Sequence, residues 1–454
     1  MDNHPVRFSA FTARIRDGES IVWFHSLTGA VMRLPAHLAE ALERLLAAGT
    51  LSTGRLTGSP LESLLRSGFL VDVDVDECER ERRTYLKARN SPRQMLLTVA
   101  PTLACNLRCS YCFQQGMPQS RTMSQPVADG LVDLVGALSD LARPEQVVVQ
   151  WFGGEPLLAF DLLLRCTEGF RAQALRQGFE YCAEILTNGI LLQRAGILRN
   201  LHRLHLASLE ISLDGLPVTY AARKKVTVAR ATRFYEFLAD TVGHLADVAG
   251  RVILRVNVDR QNVGEAREVV DLFVSRGAAD LRVIFELGRL GAIPGSSDCT
   301  PHDCLETETF TAEEIIFREH VASHGLITLA GVPEPIDSTC GAILCHQYSV
   351  DPSGRIGKCV PLIGTGEDTV SVIRPGDIAR TVHELTTRPH PFAEFDPYRA
   401  ARCRGCPLLP VCLGSCPRQE PRQDSSATGA CPARHNLERQ VLASIPPLIE
   451  PGAP

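Results

Sequence analysis

The chain has 454 residues, 44% of them hydrophobic and 22% charged, an ordinary globular composition long enough for about two to four domains. A net charge of -5 at pH 7 gives no electrostatic reason to expect nucleic acid or an anionic membrane as a partner. The start "MDNHPVRFSA" lacks a basic flank before an apolar core, and no run of about 18 apolar residues occurs, so neither a signal peptide nor a membrane span is expected and the chain reads as cytoplasmic.

Residues 1–90 read as a small α+β unit. "FSAFTARI" alternates like a half-buried strand, and "SIVWFHSLTG" and "AVMRLP" follow across a Thr-Gly turn. "PAHLAEALERLLAAG" has helical spacing, with Leu38, Leu42, Leu45 and Leu46 on one face, Pro35 near its start and Gly49 near its end. A second short helix, "PLESLLRSG", leads into "FLVDV", and the charged "DVDECERERRTYLKARNSPR" reads as an exposed linker or linker helix.

Residues 91–300 alternate strand candidates with amphipathic segments. The strands are "QMLLTVA", "QVVVQWFGG", "EILTNG", "ASLEISLDG", "RVILRVNVD" and "LRVIFEL". Repeated strand–helix units imply a parallel α/β sheet, and six strands fit a partial barrel better than a closed one of eight. Ligands gather at the C-terminal ends of such strands. Cys105, Cys109 and Cys112 follow the first strand and "GGEP" follows the second, so both fall at the expected mouth. Residues 301–454 hold few long periodic segments and are rich in Cys, Pro and Gly, so bound metal is a plausible source of their order.

Sixteen cysteines in a chain read as cytoplasmic point to metal or catalysis rather than to a disulfide scaffold. The first group, in "ACNLRCSYCF", has the spacing C-x3-C-x2-C. Three thiolates cover three irons of a [4Fe–4S] cluster and leave the fourth open to a small molecule. Zinc is the alternative, but a structural zinc site closes with a fourth nearby ligand and none stands here.

This triplet, with Tyr111 before the third Cys and Gly153, Gly154, Glu155 and Pro156 downstream, resembles the radical S-adenosylmethionine (radical SAM) superfamily. The resemblance implies that the open iron holds the amino and carboxylate groups of SAM, and that one electron splits SAM into methionine and a 5'-deoxyadenosyl radical that abstracts a substrate hydrogen. It also implies Tyr111 against the adenine and Gly153, Gly154 and Glu155 at the SAM amino group. Ser212 and Arg223 would serve the carboxylate or ribose, with Asn188 nearby. The stretch after "SLDG", "LPVTYAARKK", departs from the family's His-Asp pair.

A second group, Cys403, Cys406, Cys412 and Cys416 in "CRGCPLLPVCLGSC", is followed by Cys431 and preceded by Cys340, Cys345 and Cys359. It resembles the SPASM auxiliary-cluster domain with two [4Fe–4S] clusters, making three clusters in all. By that resemblance Cys340, Cys345, Cys359 and Cys416 hold one, and Cys403, Cys406, Cys412 and Cys431 hold the other. Cys78, Cys166, Cys182, Cys299 and Cys304 are left without an assigned role. Fully ligated clusters cannot bind substrate, so they are expected to carry electrons away from an oxidised substrate.

The strand–helix order of residues 1–90 resembles the PqqD-like, winged recognition element of peptide-maturing enzymes, in which a leader peptide adds to a sheet edge. The fold expected is therefore α/β: a partial (β/α)6 barrel between an N-terminal recognition element and a C-terminal SPASM domain. The function implied is oxidative modification of a ribosomally made precursor peptide, as an intrapeptide thioether, C–C or C–O crosslink, with electrons from a flavodoxin- or ferredoxin-type reductant. The alternative is an anaerobic sulfatase maturase making formylglycine. Such enzymes carry an Asp base directly after the cysteine matching Cys359, where this chain has Val360. No residue identifies itself as the catalytic base.

Overall fold

The structure, a computed structural model, describes residues 4–49, 51–56, 59, 61–114, 117, 121–278, 280–291, 303–327, 331–390, 392–418 and 431–445. The described residues divide into two compact units that interleave along the chain. One draws on 91–329 and 344–393, the other on 1–90, 330–343 and 394–454.

In the second of these, β1 (Val6–Phe8) pairs with β5 (Leu70–Asp72), and β2 (Thr12–Asp17), β3 (Ser20–His25) and β4 (Ala30–Pro35) form an antiparallel sheet in the order β2-β3-β4. Alternation along β3 gives the sheet two apolar faces. Trp23 packs with Val6, Ala39, Leu46 and Phe69. Val22 and Phe24 point the other way and pack with Leu408, Val411 and Val441 of the cysteine-rich segment. Ser26 Oγ donates to Pro407 O at 2.6 Å across the same junction. The N-terminal sheet is thus one wall of the cysteine-rich segment's own core.

The charged stretch expected as an exposed linker or linker helix is helix Glu77–Arg89, but with three buried members, Glu77, Tyr85 and Arg89. Glu77 accepts from Ser9 Oγ at 2.6 Å and from Ala10 N at 2.8 Å. Arg89 donates to the carbonyls of Ile343 and Phe395, both at 3.1 Å. Composition reads such a helix as solvated, whereas its charges here bond backbone groups that would otherwise be buried without partners.

The other unit is built on β6 (Gln94–Val99), β7 (Gln146–Trp151), β8 (Glu180–Thr187), β9 (Leu206–Leu213), β10 (Val252–Val258) and β11 (Val283–Arg289). All six expected strands form. They pair in parallel in the order β11-β10-β9-β8-β7-β6, an α/β sheet compatible with a partial barrel. Period-two alternation sends Met95, Leu97, Val99, Val147, Val149, Leu209, Ile211, Leu254 and Val256 into one core with the helices. The opposite face is polar. Thr98 donates to Gln150 at 3.2 Å, Gln150 to Glu184 at 3.0 Å, and Arg255 to Glu286 at 2.9 Å.

Three short strands extend this sheet into a mixed one: β12 (Gln347–Val350), parallel to β6, then β13 (Arg355–Gly357) and β14 (Ser371–Val372), both antiparallel. At two to four residues each, they are too short to show an alternation in the sequence. Among the described residues, no helix is long and apolar enough to cross a membrane.

Candidate active site

The mouth of the barrel is assembled by backbone pairing between two loops. After β6, Thr102 Oγ1 receives Ala104 N at 3.0 Å and bonds Thr122 Oγ1 at 2.9 Å, which fixes the approach to Cys105. The glycines after β7 then lie against this segment. Gly154 N donates to Thr102 O at 3.0 Å and Glu155 N to Ala104 O at 2.8 Å. A Cβ on Gly153 would stand 2.5 Å from Thr102 O, and one on Gly154 would overlap Ala104 O. Only glycine allows that approach, and the φ of +112° at Gly153 favours it independently.

Glu155 has no exposed surface and three donors: Leu157 N at 3.0 Å, Thr187 Oγ1 at 2.7 Å and Asn188 N at 2.9 Å. Burial raises its pKa, and these bonds work against the shift. The carboxylate therefore ties the "GGEP" turn to the end of β8. Asn188 extends the tie, donating from Nδ2 to Asn106 Oδ1 at 2.8 Å, between the first two cysteines. Asn106 Nδ2 is buried without a partner.

Burial pushes the Cys105 thiol up to about 11 and raises Cys109, and the three thiols of the loop repel one another's charge. Bound iron offsets such a cost, because it takes the thiolate. Ligands of one zinc, at Zn–S of about 2.3 Å, would stand roughly 3.8 Å apart. Among the described residues, the three-ligand groups lying within 4.8 Å of one another contain no cysteine. The thiols thus fit a multi-iron cluster, whose corner irons spread their ligands, better than a single ion.

Beside Cys109 lies a buried charge cluster. Tyr111 Oη donates to the Asp214 carboxylate at 2.6 and 2.7 Å, and Lys224 Nζ donates to Tyr111 Oη at 2.7 Å. Burial is the largest influence on Lys224 and works against its charge, but Asp214, Cys109 and Tyr220 together outweigh it and the ammonium pKa is raised. Burial together with the Asp214 charge raises the Tyr111 hydroxyl well above its ordinary value. Arg223 donates to Asp259 at 2.7 Å and lies 5.0 Å over the Tyr111 ring. Its Nε and Nη2 are buried without a hydrogen-bond partner, Nε standing 3.9 Å from Asp214 Oδ2. A guanidinium that keeps unused donors beside the thiol loop fits a carboxylate, such as that of SAM's methionine moiety.

The expected residues Tyr111, Arg223, Asn188, Glu155 and both glycines therefore meet around the thiol loop. Ser212 lies on β9 on the polar face, in register with Arg255 of β10. Asp214, Lys224, Asp259 and Asn106 received no role from the sequence. Tyr220 and Lys224, four apart, are both buried in helix Pro217–Lys224, and a lysine on an apolar helix face is the signal that could have marked the charge cluster.

Val360 joins Met117 and Phe152 around a small apolar patch of Ala100, Leu103 and Ile363. Cys359 is set by Asp368, whose Oδ2 accepts from Cys359 N at 2.6 Å and from Lys358 N at 2.8 Å.

In the other unit, burial raises Cys403, with Arg402 opposing and Cys412 and Cys406 reinforcing the shift. Burial likewise raises Cys406, with the Leu408 N–H and Arg434 opposing and Cys412 and Cys431 reinforcing. These four thiols sense one another's charge, with two arginines beside them. Leu413, Gly414 and Ser415 all have positive φ, 45°, 80° and 67°, and turn the chain between Cys412 and Cys416. Burial raises Cys340, whose neighbour is Cys416. Cys78, Cys166 and Cys182 are free thiols, Cys166 in the barrel core. Cys304 is disulfide-bonded, and Cys299 lies outside the described residues.

Residues 99–273 match the family model of the radical SAM superfamily. A probable GTP 3',8-cyclase of Archaeoglobus fulgidus is 26% identical over 311 residues, 65% of this chain and 95% of its own. A GTP 3',8-cyclase of Stenotrophomonas maltophilia is 35% identical over 120 residues, 26% of this chain and 34% of its own. Among solved structures, anSMEcpe with bound AdoMet and the Cp18Cys peptide matches with a TM-score of 0.58 at 17% identity, over 77% of this chain and 96% of that one. SuiB of Streptococcus suis with bound S-adenosylmethionine matches with a TM-score of 0.51 at 13% identity, over 90% and 95%. At such identities these two likenesses speak for the fold. Residues 99–273 thus carry a radical SAM domain, which speaks for radical SAM oxidoreductase activity with an iron–sulfur cluster and S-adenosylmethionine.

Proposed function

We infer that this oxidoreductase matures a ribosomally made peptide, installing an intrapeptide thioether, C–C or C–O crosslink. The observation that carries the reading is the pairing of the open three-thiol loop with a separate four-thiol group, Cys403, Cys406, Cys412 and Cys431. A [4Fe–4S] cluster and SAM, when bound at the first loop, supply a carbon radical that takes one hydrogen atom from the peptide. Crosslinking removes a second hydrogen, as a proton and an electron, and the electron needs an acceptor. The four-thiol group is suited to hold that acceptor as an auxiliary [4Fe–4S] cluster, with Arg402 and Arg434 balancing its charge. By the resemblance to the SPASM domain, Cys340, Cys345, Cys359 and Cys416 would hold a second.

The chain's own residues have definite tasks in this reading. Gly153 and Gly154 bring the main chain close to the thiol loop at the SAM amino group. Arg223 receives the SAM carboxylate through Nη2, which makes no hydrogen bond within the protein. Lys224, Asp214 and Tyr111 hold the third side of the loop rigid, and Ser212 and Asn188 line the strand ends. Thr98, Gln150, Glu184, Glu210, Arg255 and Glu286 form the polar face beneath.

In this reading the leader adds to the N-terminal sheet. A groove lined by Arg7, Phe8, Arg14, Glu40, Glu43 and Arg44 runs between the first two strands and helix Ala36–Ala47. β2 stands at one end of the sheet order, and an added peptide strand would bond its unpaired edge. A crystal structure of SuiB bound to its precursor peptide SuiA matches this chain with a TM-score of 0.51. Val360 disfavours formylglycine formation, because it places an apolar side chain where a proton acceptor would be needed.

The test is anaerobic turnover of the reconstituted chain with SAM, a flavodoxin or dithionite, and the short peptide encoded beside its gene. Loss of two hydrogens from the peptide with 5'-deoxyadenosine release is expected. 5'-Deoxyadenosine with an unchanged peptide, or turnover of GTP instead, overturns the peptide reading.

A further inference from the structure

Helix Ala266–Ser275 and helix Thr307–Ser323 pack against each other in the barrel unit. His320 stands in the last turn of the second helix and His324 is its C-cap. Four residues apart, they share one face. Asp271 reaches toward both from the first helix. Its Oδ1 lies 2.8 Å from His320 Nε2 and 2.8 Å from His324 Nε2, and the two rings stand edge to face at 4.9 Å. All three ligand atoms fall within 4.8 Å of one another. None of these residues has a part in the thiol groups or the charge cluster around Tyr111.

We propose that Asp271, His320 and His324 form a binding site for a first-row divalent cation of the zinc type, which clamps the two helices together. Two imidazole nitrogens and one carboxylate oxygen suit zinc, nickel or copper, whereas magnesium and calcium favour oxygen donors alone. The spacing fits. With bonds of about 2.1 Å, ligand atoms around a four- or six-coordinate ion stand roughly 2.9–3.4 Å apart. The observed 2.8 Å between carboxylate and each imidazole needs an opening of only tenths of an ångström, which exposed side chains supply by small rotations.

Charge points the same way. The only ion pairs of Asp271 among the described residues are with these two imidazoles, so no Lys or Arg competes for its carboxylate. The imidazoles are 27% exposed and Asp271 50%, which leaves the ion a path in and water to complete its shell. The helix Thr307–Ser323 follows the last barrel strand in the chain, and the cation fixes its C-terminal end to the preceding helix.

The test uses the full chain with its iron–sulfur clusters loaded, so that cluster thiols are occupied before zinc is added. Wild type is expected to retain one zinc ion per chain more than H320Q/H324Q after dialysis, with X-ray absorption showing a nitrogen and oxygen shell with imidazole scattering. Equal zinc uptake by the two proteins, or a shell of sulfur, overturns the site. A second measurement needs no variant: zinc should protect His320 and His324 from diethyl pyrocarbonate, read by peptide mass. Unchanged modification of both histidines with saturating zinc overturns it equally.

Discussion

The barrel and the cysteine-rich segment solve the same problem with different materials. The barrel buries one continuous apolar core, with alternate residues of six parallel strands facing helices. The cysteine-rich segment contributes mainly Leu408, Val411 and Val441 to a small core that it shares with one face of the N-terminal sheet. Its regular structure is sparse: helix Leu409–Cys412 has four residues and is followed by a left-handed turn. A core of that size stabilises little, so under the proposed reading metal held by the thiols supplies the rest. In the barrel the thiols stand at the rim of a core that is complete without them.

Removing each thiol group gives the largest effects and can break this contrast outright. Replacing Cys105, Cys109 and Cys112 by Ala should reduce SAM cleavage to background while the barrel's thermal unfolding shifts by only a few degrees. Replacing Cys403, Cys406 and Cys412 by Ala should do the reverse to structure. The segment around residues 394–445 would become cleavable by limited proteolysis, in the way small metal-bound domains unfold without their ion. Equal protease resistance in the two variants would show that the cysteine-rich segment does not depend on thiol-bound metal.

A second variant asks whether the barrel really stands on its apolar core alone. Lys224 is 3% exposed and Asp214 is fully buried, with Tyr111 between them. Lys224→Met strands the Asp214 charge, and breaking a buried pair from one side costs about 3–5 kcal/mol. Urea unfolding of the iron-free chain measures this directly. A cost below about 1 kcal/mol would mean that the charge cluster contributes little to the fold.

Arg223→Met probes the same cluster from its ligand side. A hydrogen bond to a charged partner is worth about 1.5–3 kcal/mol, so SAM should bind roughly 10–150-fold more weakly. Equilibrium binding of SAM to the cluster-loaded protein tests it, and unchanged affinity removes Arg223 from the SAM site. The loss of the Asp259 pair would appear separately, as a lower unfolding midpoint.

The two regions were also legible in different ways. All six barrel strands could be read because long alternating segments repeat a pattern that burial enforces, as in Met95, Leu97 and Val99. The short strand Gln347–Val350 is buried throughout and carries no alternation, so nothing in the sequence separates it from a loop. Spacing of thiols, rather than periodicity, singled out Cys403, Cys406, Cys412 and Cys431 as one group, and in the structure these thiols sense one another's charge. Lys224, Asp214 and Asp259 escaped notice for the opposite reason. A charged residue reads as surface by default, and only three-dimensional packing shows that these are buried against one another.

The smallest effect expected is also the one that best separates core from mouth. Glu210 lies on the polar face of the barrel, and its carboxyl pKa is raised, chiefly by burial, with Glu286 and Glu184 adding to the shift and Arg255 opposing it. An acid with a raised folded-state pKa prefers its neutral form in the native protein. Its charge therefore costs nothing below the unfolded carboxyl range, and the cost grows as pH rises through the folded value. Glu210→Gln should match wild type in stability near pH 4 and exceed it slightly at pH 7, because Arg255 keeps its 2.9 Å bond to Glu286. Unfolding midpoints across that pH range measure the gap. A variant less stable than wild type at pH 7 would show that Glu210 supports the fold through Arg255. A gain in stability coupled to slower peptide turnover would mean that the polar face is kept at a cost to the fold, for the substrate that meets it.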